Sequence, residues 1–396
     1  MKRVKQVLCG VLAAALMIPL AAASPGSGSK SLSDIQGHWA QKEIETAIAS
    51  GWVDGYPDGT FKPEKTITRA EFTKMLLDAI HLTPDSETVA WMKESARTGM
   101  VAMVQSEKYT PRLNDMGGHW LTTQGWTEAA LYSGMVVPED YNGQNFRPEK
   151  EIARYEIALM TDRALGLVNP ANAYNGEALP FADNEEILDW MKGYVNEAVK
   201  AGVLQGYPDN TFRPNKTSTR AEAVVMVQRM LDEMEQGVDP DITVIAQYRK
   251  VEDSVYEIVA SEETEDIRLQ IVDDVIYASL HDLHAQLRKM MMADGKNSLG
   301  SLEWFPIEQR GTYWLSGGNE PEGYDYWMGS SQYYYWIMKE FCVPVRALYG
   351  EMMIPVCDLQ HPSSEPQKTG WEAGWDGETN TLTIPMFYQR PTFNGS

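Results

Sequence analysis

Three segments of this chain carry one residue string at one spacing, which limits the fold to like units packed on one another. Gly55-Tyr56-Pro57-Asp58-Gly59-Thr60-Phe61-Lys62-Pro63 precedes Thr68-Arg69-Ala70-Glu71. Gly206-Tyr207-Pro208-Asp209-Asn210-Thr211-Phe212-Arg213-Pro214 precedes Thr219-Arg220-Ala221-Glu222. Asp140-Tyr141-Asn142-Gly143-Gln144-Asn145-Phe146-Arg147-Pro148 precedes Ala153-Arg154-Tyr155-Glu156. In every copy the tyrosine stands 13 residues before the arginine and the phenylalanine 8 before it.

The copies run over about residues 32–80, 113–165 and 181–231. In the first, Asp34 is expected to cap a helix near 40–50 whose apolar face is Ile44, Ala47 and Ile48, ended by Gly51. After the turn, Thr68 and Glu71 form a capping box for a second helix with Phe72, Met75, Leu76 and Ala79 as its buried stripe. Asp115, Trp120 and Gly134, then Asp183, Trp190 and Gly202, take the places of Asp34, Trp39 and Gly51. The second copy departs from the pattern: Asp140 replaces the glycine, Gly143 the aspartate, and Tyr155 the alanine after the arginine. Between copies, 84–112 is an insert in which Trp91, Met92, Met100 and Met103 suggest a helix covering an apolar surface, and 169–180 is a linker.

These residues resemble the S-layer homology (SLH) domain family. The resemblance implies that the three repeats form one mainly α pseudo-threefold unit. It implies that grooves between repeats bind a secondary cell-wall polysaccharide linked to peptidoglycan, at a pyruvate ketal on an N-acetylmannosamine-type sugar. It also implies that the motif arginine meets the pyruvyl carboxylate. The residue chemistry agrees. Arginine presents a planar fork of donors that fits a carboxylate at two points. A first-turn position adds backbone N–H groups that favour an anion. A tryptophan or tyrosine face stacks on a sugar ring, and glycine admits a close ligand. The candidate polysaccharide-binding residues are therefore Arg69, Arg154, Arg220, Asp34, Asp115, Asp183, Trp39, Trp120, Trp190, Gly55, Tyr56, Gly206 and Tyr207. Salt bridging within the fold is the competing role for the arginines, capping for Thr and Glu of the motif, and core packing for the tryptophans. Arg69 and Arg220 belong to the full motifs and Arg154 to the altered one, so one or two competent grooves are expected.

The 396-residue chain carries a formal charge of −22, which disfavours non-specific binding to nucleic acid or an anionic surface. Any anionic partner must be met by locally placed cations. Residues 1–23 read as a secretory signal peptide: Lys2, Arg3 and Lys5, an apolar run over 7–20, then Ala21-Ala22-Ala23. Export without membrane insertion follows, to the cell wall or surface of a Gram-positive-type bacterium. Cys342 and Cys357 then remain, either as a disulfide or as two buried thiols.

Beyond a boundary at 237–241, residues 240–292 read as a helical segment of two helices, the first marked by Ile245, Tyr248, Val255 and Val259. His281 and His284 share a face of the second, a surface pair more than a metal site. From 298 to 396 the texture is that of strands, with aromatic clusters at Tyr313-Trp314 and Tyr333-Tyr334-Tyr335-Trp336. Val343-Pro344-Val345-Arg346-Ala347-Leu348 and Gly374-Trp375-Asp376-Gly377-Glu378-Thr379-Asn380-Thr381-Leu382-Thr383-Ile384 resemble the copper amine oxidase N-terminal-like domain, a small non-catalytic α+β module. No catalytic motif, cofactor site or metal site is evident. The expectation is a multidomain protein that anchors itself non-covalently to the wall and does no chemistry. The alternatives are a wall-bound enzyme acting on glycan or peptide through its C-terminal region, or a structural S-layer component.

Overall fold

A computed structural model of the chain describes residues 32–98, 111–172, 174–234, 243–252, 255–264, 267–272, 275–293, 299–305, 310–316, 346–348, 350–359, 374–379 and 381–389. Each copy is a helix, a turn and a second helix. The first has α1 (Gln41–Ala49) and α2 (Arg69–Ala79), and the insert after it forms α3 (Glu87–Thr98). The second has α4 (Trp120–Thr123), α5 (Trp126–Tyr132) and α6 (Arg154–Leu165), followed by α7 (Val168–Asn172). The third has α8 (Asp189–Lys200) and α9 (Arg220–Met234). The first helix of the second copy is split because Gly125 adopts φ 85°, and a Cβ there would lie 2.9 Å from Pro84 Cβ.

The expected capping boxes, buried stripe and glycine ends of these helices are present. Glu71 N donates to Thr68 Oγ1 (3.2 Å) and Thr68 N to Glu71 Oε2 (2.9 Å). Thr219 and Glu222 repeat the box. The α2 stripe of Phe72, Met75, Leu76 and Ala79 is buried. Gly51, Gly134 and Gly202 take the left-handed conformation just past a helix end.

The three copies close into a ring through backbone bonds. Ile67 N donates to Ser218 O (3.0 Å), Ser218 N to Ile152 O (3.2 Å) and Ile152 N to Ile67 O (3.0 Å). Around this junction lies one continuous core, with Phe61, Phe146 and Phe212 fully buried.

The region after 242 differs from its expectation. Residues 243–252 and 255–264 are not helix but an antiparallel hairpin, β1 (Thr243–Glu252) and β2 (Val255–Thr264). Thr, Val and Ile recur along these stretches, and β-branched residues fit a pleated surface better than a helix. Two further strands follow, β3 (Leu269–Val272) and β4 (Val275–Ser279). The second expected helix begins only at Leu280, as α10 (Leu280–Ala293). Then come β5 (Leu299–Phe305), β6 (Arg310–Ser316), β7 (Arg346–Leu348), β8 (Glu351–Asp358), β9 (Gly374–Asp376) and β10 (Thr381–Gln389). The sheets are ordered β2-β1-β10-β9, β3-β4-β8-β7 and β5-β6, with β10 parallel to β1. Asp376 accepts from Glu378 N and from Thr379 Oγ1 to close the turn that joins β9 to β10. Cys357 is buried in β8. The signal segment 1–23, Met100, Met103, Tyr333-Tyr334-Tyr335-Trp336, Cys342 and Val343-Pro344-Val345 lie outside the described residues.

The insert helix α3 joins the two halves. Its Thr88 donates to Glu351 Oε1 (2.8 Å). Trp91 stands 5.7 Å from the His281 ring and 5.5 Å from the His284 ring. The histidines are thus half-buried packing partners, not a surface pair. Gly350 N donates to Ile80 O (2.7 Å) at the same junction.

Candidate functional site

The repeated turn is held by its aspartate. Asp34 accepts from Phe61 N (2.8 Å) and Lys62 N (2.7 Å). Asp115 does the same for Phe146 and Arg147, and Asp183 for Phe212 and Arg213. Asp34 therefore does not cap α1, whose N-cap Ala40 has no side-chain bond. The acid is committed to the turn, where it satisfies two adjacent N–H groups at once. The second of these residues is strained: Lys62, Arg147 and Arg213 have φ 57°, 52° and 57°, each directly before a proline. A residue before proline ordinarily stays extended, and left-handed backbone at a non-glycine persists only where its surroundings enforce it. Asp183→Ala is expected to destabilise the chain by about 2–3 kcal/mol, since it strips charge-assisted bonds from two N–H groups; urea unfolding checks this.

The strain turns a cation back over the tyrosine of the same turn. Lys62 Nζ lies 4.3 Å from the Tyr56 ring centre and the Arg213 guanidinium 4.3 Å from that of Tyr207. Lys65 Nζ donates to Tyr56 Oη (3.1 Å) and Lys216 Nζ to Tyr207 Oη (2.9 Å). Each lysine also pairs with its motif glutamate, Glu71 at 3.1 Å and Glu222 at 2.8 Å. The Tyr56 hydroxyl and then Glu71 raise the Lys65 pKa. Burial opposes the charge of Lys216, but Glu222 and Tyr207 raise its pKa overall.

The motif arginine reaches out of its own copy into the next. Arg154 Nε donates to Phe212 O (3.0 Å) and its Nη2 to Gln205 O (2.7 Å). Arg220 Nε donates to Phe61 O (3.1 Å) and its Nη2 to Asp54 O (3.1 Å). Arg154 lies 4.8 Å from the Tyr207 ring and Arg220 4.9 Å from the Tyr56 ring. Each groove is therefore an arginine of one copy set against the turn of the following copy. Three cations surround Tyr56 (Lys62, Lys65, Arg220) and three surround Tyr207 (Arg154, Arg213, Lys216). Two guanidinium donors bind backbone in each case, and a fork of five leaves others for a ligand.

The third groove is different. Arg69 reaches Phe146 O and lies 5.1 Å from the Tyr141 ring, but its second arm forms an ion pair with Glu156. Both members of that pair are buried. Ranking the copies by motif completeness thus misplaces the irregularity. Arg154, from the altered motif, works against the full third turn, whereas Arg69, from a full motif, meets the altered second turn.

The remaining candidates divide by exposure. Trp39 and Trp190 are exposed (62% and 50%), which rules out core packing for them, while Trp120 is half-buried. Trp190 meets Tyr155 edge-on at 5.6 Å, beside the helix start that carries Arg154. Gly55 and Gly206 face inward: a Cβ would lie 2.8 Å from Leu32 Cδ2 and 2.7 Å from Phe181 Cε1. Packing within the copy, not ligand approach, requires glycine there. The helix starts offer no spare N–H to an anion either. Arg69 N, Arg154 N and Arg220 N donate to Lys150 O, Lys216 O and Lys65 O of the following copies. The next N–H groups go to Pro148 O, Pro214 O and Pro63 O.

Elsewhere, His281, Asp282 and Glu351 bring ligand atoms within 4.8 Å of one another. The Arg268 guanidinium already bridges Asp282 (2.7 Å) and Glu351 (2.6 Å), which supplies the positive charge those carboxylates require. Among the described residues no helix is long and apolar enough to cross a membrane.

Comparison with known proteins bears on two of the copies. The S-layer homology domain family matches residues 31–73 and 180–224, the first and third copies. The chain carries S-layer homology domains. Relatives agree. The exoglucanase XynX of Acetivibrio thermocellus is 31% identical over 204 residues, 52% of this chain and 16% of its own length. The cellulosome-anchoring protein of the same organism is 31% identical over 186 residues, 46% of this chain and 35% of its own. An S-layer protein of Bacillus thuringiensis subsp. finitimus is 27% identical over 226 residues, 57% of this chain and 24% of its own. The chain thus spans a minor part of each relative's length. Its S-layer homology domains place it at the cell surface, in the envelope of a Gram-positive-type bacterium.

Proposed function

We propose that the chain attaches non-covalently to the cell wall by holding anionic groups of a wall polysaccharide in the grooves at Tyr56 and Tyr207. The observation that carries this reading is the one cation at each ring with no carboxylate partner among the described residues, the guanidinium of Arg220 at Tyr56 and of Arg154 at Tyr207. The other cations there are paired, Lys62 with Asp58 (3.0 Å), Lys65 with Glu71 (3.1 Å), Arg213 with Asp209 (2.6 Å) and Lys216 with Glu222 (2.8 Å). Arg220 and Arg154 supply the planar fork for a carboxylate. Trp39 and Trp190 offer exposed ring faces for a sugar. A pyruvate ketal on an N-acetylmannosamine-type residue matches this set, because it places one carboxylate on a rigid sugar. All three copies act as S-layer homology repeats in this reading, the middle one mainly as scaffold.

The C-terminal region is proposed as a small non-catalytic α+β module of the copper amine oxidase N-terminal-like kind. It is carried by the anchoring unit through α3 and Gly350. Attachment requires no bond to be made or broken.

Co-sedimentation with purified walls tests the ligand. Mild acid removal of the pyruvyl groups is expected to reduce the bound fraction at least tenfold. Equal binding to treated and untreated walls would contradict the assignment.

A further inference from the structure

The departures of the second copy form one consistent set. Where Arg154 and Arg220 reach the carbonyl that precedes a glycine, Arg69 reaches the Glu156 carboxylate. The glycine itself is replaced by Asp140, which pairs with the buried Arg163 at 2.6 Å. Glu71 and Glu222 keep 26% and 20% of their side chains exposed and turn to a lysine, whereas Glu156 keeps 4% and turns to the arginine. Tyr155 stands in place of Ala70 and Ala221. Burial first, then the neighbouring Glu156, pushes its hydroxyl up to about 12, so it stays protonated as a donor beside the Arg69–Glu156 pair. Tyr141 is buried, and Arg69 is the one cation over its ring among the described residues.

We propose that Glu156 is a built-in anion that occupies the third groove. It gives Arg69 the carboxylate that a ligand gives the other two arginines. The third groove then fastens the first copy to the second and takes no glycan, so the chain has two anion sites. This rests on the anchoring reading above. The cap function of Glu156 is separable, because its other oxygen accepts from Ala153 N (2.9 Å) and glutamine retains that bond.

Isothermal titration of the full chain with the methyl glycoside of pyruvate-ketal N-acetylmannosamine tests the proposal. The unaltered chain is expected to bind two equivalents. Glu156→Gln combined with Tyr155→Ala is expected to bind three, the added site exposing Arg69. Arg69→Met alone leaves a buried unpaired carboxylate and is expected to unfold readily. Arg69→Met with Glu156→Leu removes both charges, and is expected to stay folded and bind two equivalents within about twofold of the original affinity. Three equivalents for the unaltered chain would overturn the proposal. So would two for the folded Glu156→Gln/Tyr155→Ala variant, or one for Arg69→Met/Glu156→Leu. Absence of any binding to the unaltered chain would overturn the anchoring reading itself, and the proposal with it.

Discussion

Replacing Arg154 and Arg220 together by alanine is expected to remove the chain from purified walls. Each arginine is buried where two copies meet, with its position set by two backbone carbonyls. A carboxylate placed on such a fork is desolvated and bound at two points. Truncating one partner of a buried charge pair costs about 2–5 kcal/mol. On the proposed reading a polymeric wall ligand engages both grooves at once, so avidity multiplies the two losses. The single variants are expected to lose on the order of 10²-fold or more in affinity, mostly because bivalent attachment is gone. Arg154→Lys and Arg220→Lys keep the charge without the fork and are expected to fall between. Circular-dichroism melting of the same samples separates lost binding from lost folding. Full wall binding by the folded double alanine variant would contradict the assignment.

Asp162→Asn is expected to stabilise the chain at neutral and alkaline pH. Asp162 lies on α6, is completely buried, and neither carboxylate oxygen has a hydrogen-bond partner. Burial, with Glu197 adding to it, pushes its pKa well above the ordinary 3.8. The folded chain therefore keeps a proton that the unfolded chain releases. Stability attributable to this group is at its full value below the ordinary 3.8. It falls as pH rises, until the pH passes the raised folded value. Every tenfold difference in proton affinity between the folded and unfolded chain is worth about 1.4 kcal/mol. Asparagine cannot ionise, so the variant is expected to match the original at about pH 3.5 and to exceed it at about pH 8. Urea unfolding at the two pH values checks the sign; a variant weaker than the original under the alkaline condition would contradict it.

What the chain alone discloses is what lies within one copy. The capping boxes at Thr68 and Thr219, the α2 stripe, and the left-handed glycines all follow from spacings of a few residues. The groove is not legible in the same way. Spacing places Arg69 13 residues after Tyr56, but the side chain crosses to Tyr141, and nothing in a single copy encodes that crossing. The signal that could find it is the pairing of departures, since Glu156 and Asp140 belong to the copy that receives Arg69. Gly55 and Gly206 point to a ligand by residue type alone, whereas Leu32 and Phe181 explain them once packing is known. Apolar residues three to four apart suggest helix over 243–264, yet the β-branched content there favours the observed hairpin.

Side-chain NMR reads most directly which arginines meet the glycan. The Nε–Hε signals of Arg69, Arg154 and Arg220, assigned by single Arg→Lys variants, can be followed while the pyruvate-ketal N-acetylmannosamine glycoside is added. Shifts at Arg154 and Arg220, with Arg69 unmoved, are the predicted result. A shift at Arg69, or silence at Arg154 and Arg220 while binding occurs, would contradict the account.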